Sequence, residues 1–241
     1  MKIRTFRQSQ LRESEDLFKG SYEISRAIVD HLSKNNKRKN LQIQASLNGL
    51  SLEIFLFSGK KKISTSIIDL NSSLLEQIDE LGGIDIDITV KTGNKFDADG
   101  EYTYDKDSGD LGAINVIMTI PPEYLSTKID QIERILRGHI AHEIQHAKQR
   151  IFMRRKHSEI AGRNLRDHLM DSDEIDARIE EILVMMNSFD ELSRDKFIFH
   201  LEQYIDEYFE RTKFPDNEKS HPYGIMRDKH VKFFDKKFLE K

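Results

Sequence analysis

Residues 113–153, AINVIMTIPPEYLSTKIDQIERILRGHIAHEIQHAKQRIFM, change their hydrophobic period partway along. Ala113 to Ile120 reads as a strand, stopped by Pro121-Pro122, because proline cannot continue a hydrogen-bonded ladder. From about Leu125 to Met153 the apolar residues recur at helical spacing, through Ile129, Ile132, Ile135, Leu136, Ile140, Ile144, Ala147 and Ile151. A strand feeding a long helix predicts a sheet with a helix packed on it. The strand Ala113–Ile120 is also a candidate sheet edge, onto which an extended peptide could add.

Upstream, Leu41, Ile43, Ala45 and Leu47 alternate with polar residues, and Leu50, Leu52, Ile54 and Leu56 resume the alternation after Asn48-Gly49. That pattern predicts a β-hairpin with its tight turn at Asn48-Gly49, since such turns need positive φ. A third strand is expected from Ile63 to Leu70, a short helix from Ser72 to Leu81, and a strand through Ile84, Ile86, Ile88 and Val90. Residues 93–109 read as a polar, acidic stretch. Residues 9–35 carry an amphipathic pattern, expected to break into two helices at Gly20. Downstream, helices are expected at about 172–188, 193–212 and 224–240. Strands followed by helices make an α+β layout.

Composition narrows the chemistry. The chain has 241 residues, 33% charged and 37% hydrophobic, with a formal net charge of −4, which gives no overall drive toward nucleic acid or anionic membranes. It contains no cysteine, so disulfides, thiolate metal sites and cysteine nucleophiles are excluded, and any metal must be held by His, Asp or Glu. The first residues, MKIRTFRQSQLRESED, have no apolar core of the secretory type, and the apolar run Ile182–Met186 is too short to span a bilayer. A soluble, cytoplasmic protein is expected.

The chemistry concentrates in His142-Glu143-Ile144-Gln145-His146. Residues four apart on a helix share one face, so His142 and His146 can point two imidazole nitrogens at one ion about 2.0–2.1 Å away. Glu143 lies about 100° round the helix from His142, too far to be an equivalent ligand and well placed to accept a proton from a water at the metal. Zinc brings such a water's pKa toward about 7, which lets a neighbouring carboxylate generate the nucleophile at neutral pH. Ile140, Ile144 and Ala147 supply the packing that would fix the rings. The bland reading is a solvated helix with two surface histidines.

This pentapeptide resembles the zinc helix of the zincin metallopeptidases. The metzincin branch extends it with a glycine and a third histidine, whose positions here hold Gln149 and Phe152, so that branch is rejected. The gluzincin branch takes its third ligand from a glutamate on a later helix, in a Glu-x-x-Ala pattern, and Glu174-Ile175-Asp176-Ala177 matches it. The resemblance implies His142, His146 and Glu174 as zinc ligands and Glu143 as the general base. Arg178 stands where many relatives carry Asn or Asp, which bears on the residues supporting the ligands rather than on the ligands. Asp171, Asp173, His168, His157 and Glu159 remain rivals to Glu174, whose bland reading is a helix N-terminal carboxylate. The resemblance spans residues 110–190, and within it the chain is similar to zincin-like proteins encoded by large tailed phages, which implies association with a virion.

The resulting expectation is an α+β, zincin-like fold. An antiparallel or mixed sheet would pack on the His142-bearing helix and a glutamate-bearing helix, with helical extensions at both ends. Three segments follow: 1–38, N-terminal and helical; 39–190, the metallopeptidase-like domain; and 191–241, a C-terminal helical extension. The expected partner is a peptide or protein substrate, with no membrane and no nucleic acid. The competing class is a zincin-like structural protein, for example a virion component, whose metal braces the fold and whose C-terminal helices dock on a larger assembly.

Weaker signals complete the reading. His139 precedes His142 by one turn, and His221 and Tyr223 have the chemistry of oxyanion donors, although Ser220–Gly224 also reads as a plain turn between helices. Asp97-Ala98-Asp99-Gly100 and the carboxylates of residues 105–110 cluster as calcium ligands do, but without the twelve-residue loop and its final glutamate they read as a solvated acidic hairpin. The basic runs at 37–39, 60–62 and 154–156 read as solubilising faces. Phe197, Leu201, Tyr204, Ile205, Tyr208 and Phe209 form a stripe for packing or for a partner.

Overall fold

The computed structural model describes residues 6–80, 84–103, 112–151, 171–186, 193–211 and 220–239. Among them it is an α+β structure with one six-stranded mixed sheet and seven α-helices. The strands are β1 (Leu41–Asn48), β2 (Ser51–Ser58), β3 (Lys61–Asp69), β4 (Asp85–Thr92), β5 (Asp97–Thr103) and β6 (Ala113–Ile120). The helices are α1 (Phe6–Lys34), α2 (Ser73–Glu80), α3 (Tyr124–Thr127), α4 (Ile129–Ile151), α5 (Ser172–Met186), α6 (Arg194–Arg211) and α7 (Ser220–Phe234), and a π-helical turn, Asp235–Leu239, continues α7. Ser72, Asp171 and Ser193 precede α2, α5 and α6, and each side-chain oxygen accepts a backbone N–H of the first turn, at Leu75, Asp173 and Lys196. No helix among the described residues is long and apolar enough to cross a membrane.

The strand order is β3-β2-β1-β4-β6-β5, antiparallel throughout except for the parallel pair β4–β6. Alternation divides the sheet cleanly. Ile43, Ala45, Ile54, Ile86, Ile88, Ile114 and Val116 are buried on one face, whereas Gln44, Asp87 and Ile117 are exposed on the other. Helices α1, α2 and α4 close the buried face, and their Ile24, Ile28, Leu75, Ile132, Leu136, Ile140 and Ile144 join one core with the strands. Each such residue contributes roughly 1.5–3 kcal/mol when fully withdrawn from water. Helix α5 packs on α4, and α6 and α7 pack on α5 around a second apolar cluster.

Four sequence expectations are corrected here. Helix α1 runs unbroken through Gly20, whose role is close approach: a Cβ there would lie 2.9 Å from Ser72 Oγ. The β1–β2 turn residues are Gly49 and Leu50 rather than Asn48 and Gly49, with Leu47 opposite Leu52 and only Gly49 at positive φ (59°). The polar, acidic stretch contains β5, in keeping with the acidic hairpin expected there. Strand β6 is not an edge, because β5 pairs along its outer side and takes the edge position itself. In the C-terminal part, Ser220–Gly224 is the first turn of α7 rather than an interhelical turn; Pro222 is tolerated there because first-turn N–H groups lack intrahelical acceptors.

Candidate metal centre

Helix α4 lies between the sheet and α5, and its two histidines face α5 from successive turns. Their Nε2 atoms are 3.1 Å apart. Glu174, in the first turn of α5, straddles them: Oε1 is 3.3 Å from His146 Nε2 and Oε2 is 3.6 Å from His142 Nε2. A tetrahedral ion with bonds of about 2.0–2.1 Å keeps its ligand atoms roughly 3.3 Å apart, so these separations suit one small divalent cation. Among the described residues this is the His/Asp/Glu group that could hold a metal, and it is buried.

The distal ring nitrogens are held as well. His142 Nδ1 is 3.1 Å from Glu181 Oε2, two turns along α5 from Glu174. His146 Nδ1 is 3.1 Å from Gln149 Oε1. The Gln149 amide nitrogen donates to the Asp173 carbonyl (3.0 Å) and to Asp176 Oδ2 (3.1 Å), which leaves its oxygen facing the ring. His146 Nδ1 must then be the donor, and its Nε2 lone pair points at the cluster. Hydrogen-bonded partners of this kind orient ligating imidazoles and fix their tautomers. Neither Glu181 nor Gln149 was marked by the sequence. The seven-residue offset between Glu174 and Glu181 was the available clue, since it returns to the same helix face.

Burial opposes charge on His142, but the side-chain bonds to Glu174 and Glu181 outweigh it and lift the imidazole pKa to about 10. Burial likewise opposes ionisation of Glu174 and Glu181, and the imidazole bonds win: Glu174 falls well below the usual carboxylate range and Glu181 falls to about 2. The seam is therefore a cage of ionised carboxylates that draws in positive charge, whether proton or metal.

Glu143 stands apart from this hydrogen-bond network. It is 5% exposed, and its carboxylate lies against Gly100 of β5, where a Cβ would come within 2.6 Å of Oε1. Glycine at this position makes room for the carboxylate. Burial raises the Glu143 carboxyl above the usual carboxylate range, with His142 and His146 opposing.

The other candidates fall elsewhere. Asp171 caps α5, and Asp173 lends its carbonyl to Gln149. His157, Glu159 and His168, with the basic run at 154–156 and the carboxylates at 105–110, lie outside the described residues. His139 acts electrostatically on Glu181 and is not one of the three converging residues. Arg178 Nη2 approaches Glu174 Oε2 at 3.4 Å, so it bears directly on Glu174 rather than on its surroundings. Tyr223 stacks on Phe209 between α6 and α7, in the second apolar cluster rather than at the metal group. Asp97 and Asp99 lie on the exposed face of β5, with Asp99 accepting the Gly100 N–H. Phe197, Leu201, Ile205 and Phe209 are buried against α5 and α7.

No family model, curated protein or solved structure matches this chain.

Proposed function

We propose that this chain is a zinc-dependent metallopeptidase of zincin type, gluzincin-like in its ligands, with His142, His146 and Glu174 holding the ion and Glu143 as general base. The observation that carries the reading is the convergence of three buried residues, with the two Nε2 atoms 3.1 Å apart and the two Glu174 oxygens 3.3 and 3.6 Å from them, backed by partners on both distal ring nitrogens. When bound, zinc supplies Lewis acidity, activating water and polarising a carbonyl. Glu143 is adjacent to the ligands without belonging to them, and its raised affinity for protons suits a group that takes one at neutral pH and returns it to the leaving amine. Strand β5 lies beside Glu143 and is the last strand of the sheet among the described residues, the position at which an extended peptide adds.

Glu143→Gln is the decisive variant. It should retain zinc at wild-type stoichiometry while hydrolysis of a peptide library falls by about 10²–10⁴, the usual contribution of a general base. Cleavage by this variant at the wild-type rate would exclude the mechanism.

One observation favours a bracing role instead: His146, Glu143 and Glu174 are 5%, 5% and 3% exposed, which is deep for groups that must meet a polymer. In that case zinc raises the thermal midpoint and no peptide in the library is cut.

A further inference from the structure

The C-terminal π-helical turn reaches back to the metal group. Lys237, in that turn, places Nζ 2.6 Å from Asp176 Oδ1 and 2.7 Å from Glu180 Oε1. The other oxygen of Asp176 accepts from Gln145 Nε2 at 2.9 Å and from Gln149 Nε2 at 3.1 Å. Gln149 in turn presents its oxygen to His146 Nδ1. A continuous path thus runs from an ammonium 91 residues downstream of His146 (237 − 146) to the face of that imidazole opposite the ligand group. Lys237 and Asp176 are almost wholly buried, with side-chain exposures of 11% and 4%.

We propose that Lys237 is a positioning residue for the metal centre: by holding Asp176 toward Gln145 and Gln149, it fixes the amide orientation of Gln149 and, through it, the Nδ1–H tautomer and aim of His146. This rests on the metal-site reading above. An amide can present either end to a ring, and the two ends demand opposite tautomers. Only the orientation with oxygen toward His146 leaves Nε2 as a lone pair for an ion. Asp176, an acceptor pinned on its far side by Lys237, selects that orientation together with the Asp173 carbonyl. Without the ammonium, the carboxylate loses the cation at its far oxygen, and the amide keeps only the Asp173 carbonyl as a fixed acceptor. Glu180 shares the ammonium, but the carboxylate that accepts from both glutamines is that of Asp176, so the path to the ring passes through Asp176.

The test measures zinc affinity of the full chain by competition with a chromophoric chelator, well below the thermal midpoint. Lys237→Met should weaken zinc by about 10–100-fold, the range for loss of a residue supporting a ligand, and Lys237→Arg should restore most of it. Asp235→Asn is the structural control, because it removes the charge from the Arg194 pair (2.9 Å) that pins the same turn without touching the path. It should lower the midpoint and leave affinity unchanged. The ring-nitrogen resonances of His146 should report a single Nδ1–H tautomer in the wild type and a mixture in Lys237→Met. Should Lys237→Met not fold, Gln149→Leu interrupts the same path at its other end and is expected to lose at least as much affinity. Wild-type affinity in Lys237→Met or Gln149→Leu, or an equal loss in Asp235→Asn, overturns the proposal. Absence of zinc uptake by the wild type overturns instead the reading on which it rests.

Discussion

Where α5 meets α4, the buried side chains are Glu174, Asp176 and Glu181, facing His142, His146, Gln145 and Gln149. Where the same helix meets α6 and α7, they are Ile175, Ile179, Ile182 and Leu183, facing Phe197, Leu201, Phe234 and Phe238. The second seam needs only shape and volume: Phe197 and Phe234 stack with centroids 4.1 Å apart. The first seam holds several carboxylates out of water, which is tolerable only because each finds a cation or a donor. One seam secures the helix, and the other uses that security to keep charged groups paired out of water. A buried histidine in each makes the contrast measurable. His142, among carboxylates, is raised to about 10, while His230, in the apolar seam with Nδ1 on the Met226 carbonyl, is lowered by burial to about 4.

The sharpest way to break this contrast is to damage each seam separately. His146→Ala should abolish zinc uptake, read by metal analysis of the purified protein, while leaving the chain folded by circular dichroism. Phe234→Ala should do the reverse, costing about 3–5 kcal/mol in denaturant unfolding while zinc still binds. Equal loss of stability in the two variants would mean that the seams do not divide the work.

A smaller effect lies in the pH dependence of stability, measured with a chelator present. The folded pKa of His142 is above its unfolded value of 6.5, so its contribution is complete below about 6.5 and is lost as pH rises through about 10. The folded pKa of His230 is below its unfolded value, so the unfolded chain alone takes up the proton, and stability falls as pH drops from about 6.5 to about 4. His230→Leu should flatten the acid limb by about 3 kcal/mol at most and leave the alkaline limb intact. An acid limb unchanged in that variant would remove His230 from the account.

The smallest signal is a proton count. Metal needs a neutral imidazole, and His142 is charged at pH 7, so zinc binding should release about one proton, read by calorimetry in buffers of different ionisation enthalpy. A count of zero would place the proton elsewhere.

Much of this arrangement was legible in the residues. Period-two alternation located β1, β2, β4 and β6, and the spacing of Ile132, Leu136, Ile140 and Ile144 located α4 and the shared face of its histidines. The Glu-x-x-Ala likeness pointed to Glu174, which does meet both rings. Strand β5 was only faintly marked, as part of an acidic hairpin without bounds, because Asp97, Asp99 and Glu101 face water and Gly100 makes room for Glu143, leaving Ala98 and Tyr102 as its buried apolar residues. The turn between β1 and β2 shifted because moving the register by two residues still pairs apolar with apolar. Glu181, Asp176 and Lys237 were invisible for a different reason: their roles exist only once helices distant in sequence are packed together, and alone each looks like an ordinary surface charge.

Because α5 is buried from Asp173 to Val184 without interruption, it has no solvent-facing side in that span to absorb an error of phase. Inserting a single residue near its start would turn everything beyond by about 100°, swinging carboxylates toward the phenylalanines and isoleucines toward the imidazoles. Point substitutions that keep size and polarity can persist along this segment, but length changes cannot, so its spacing should be the most rigid inheritance of the chain.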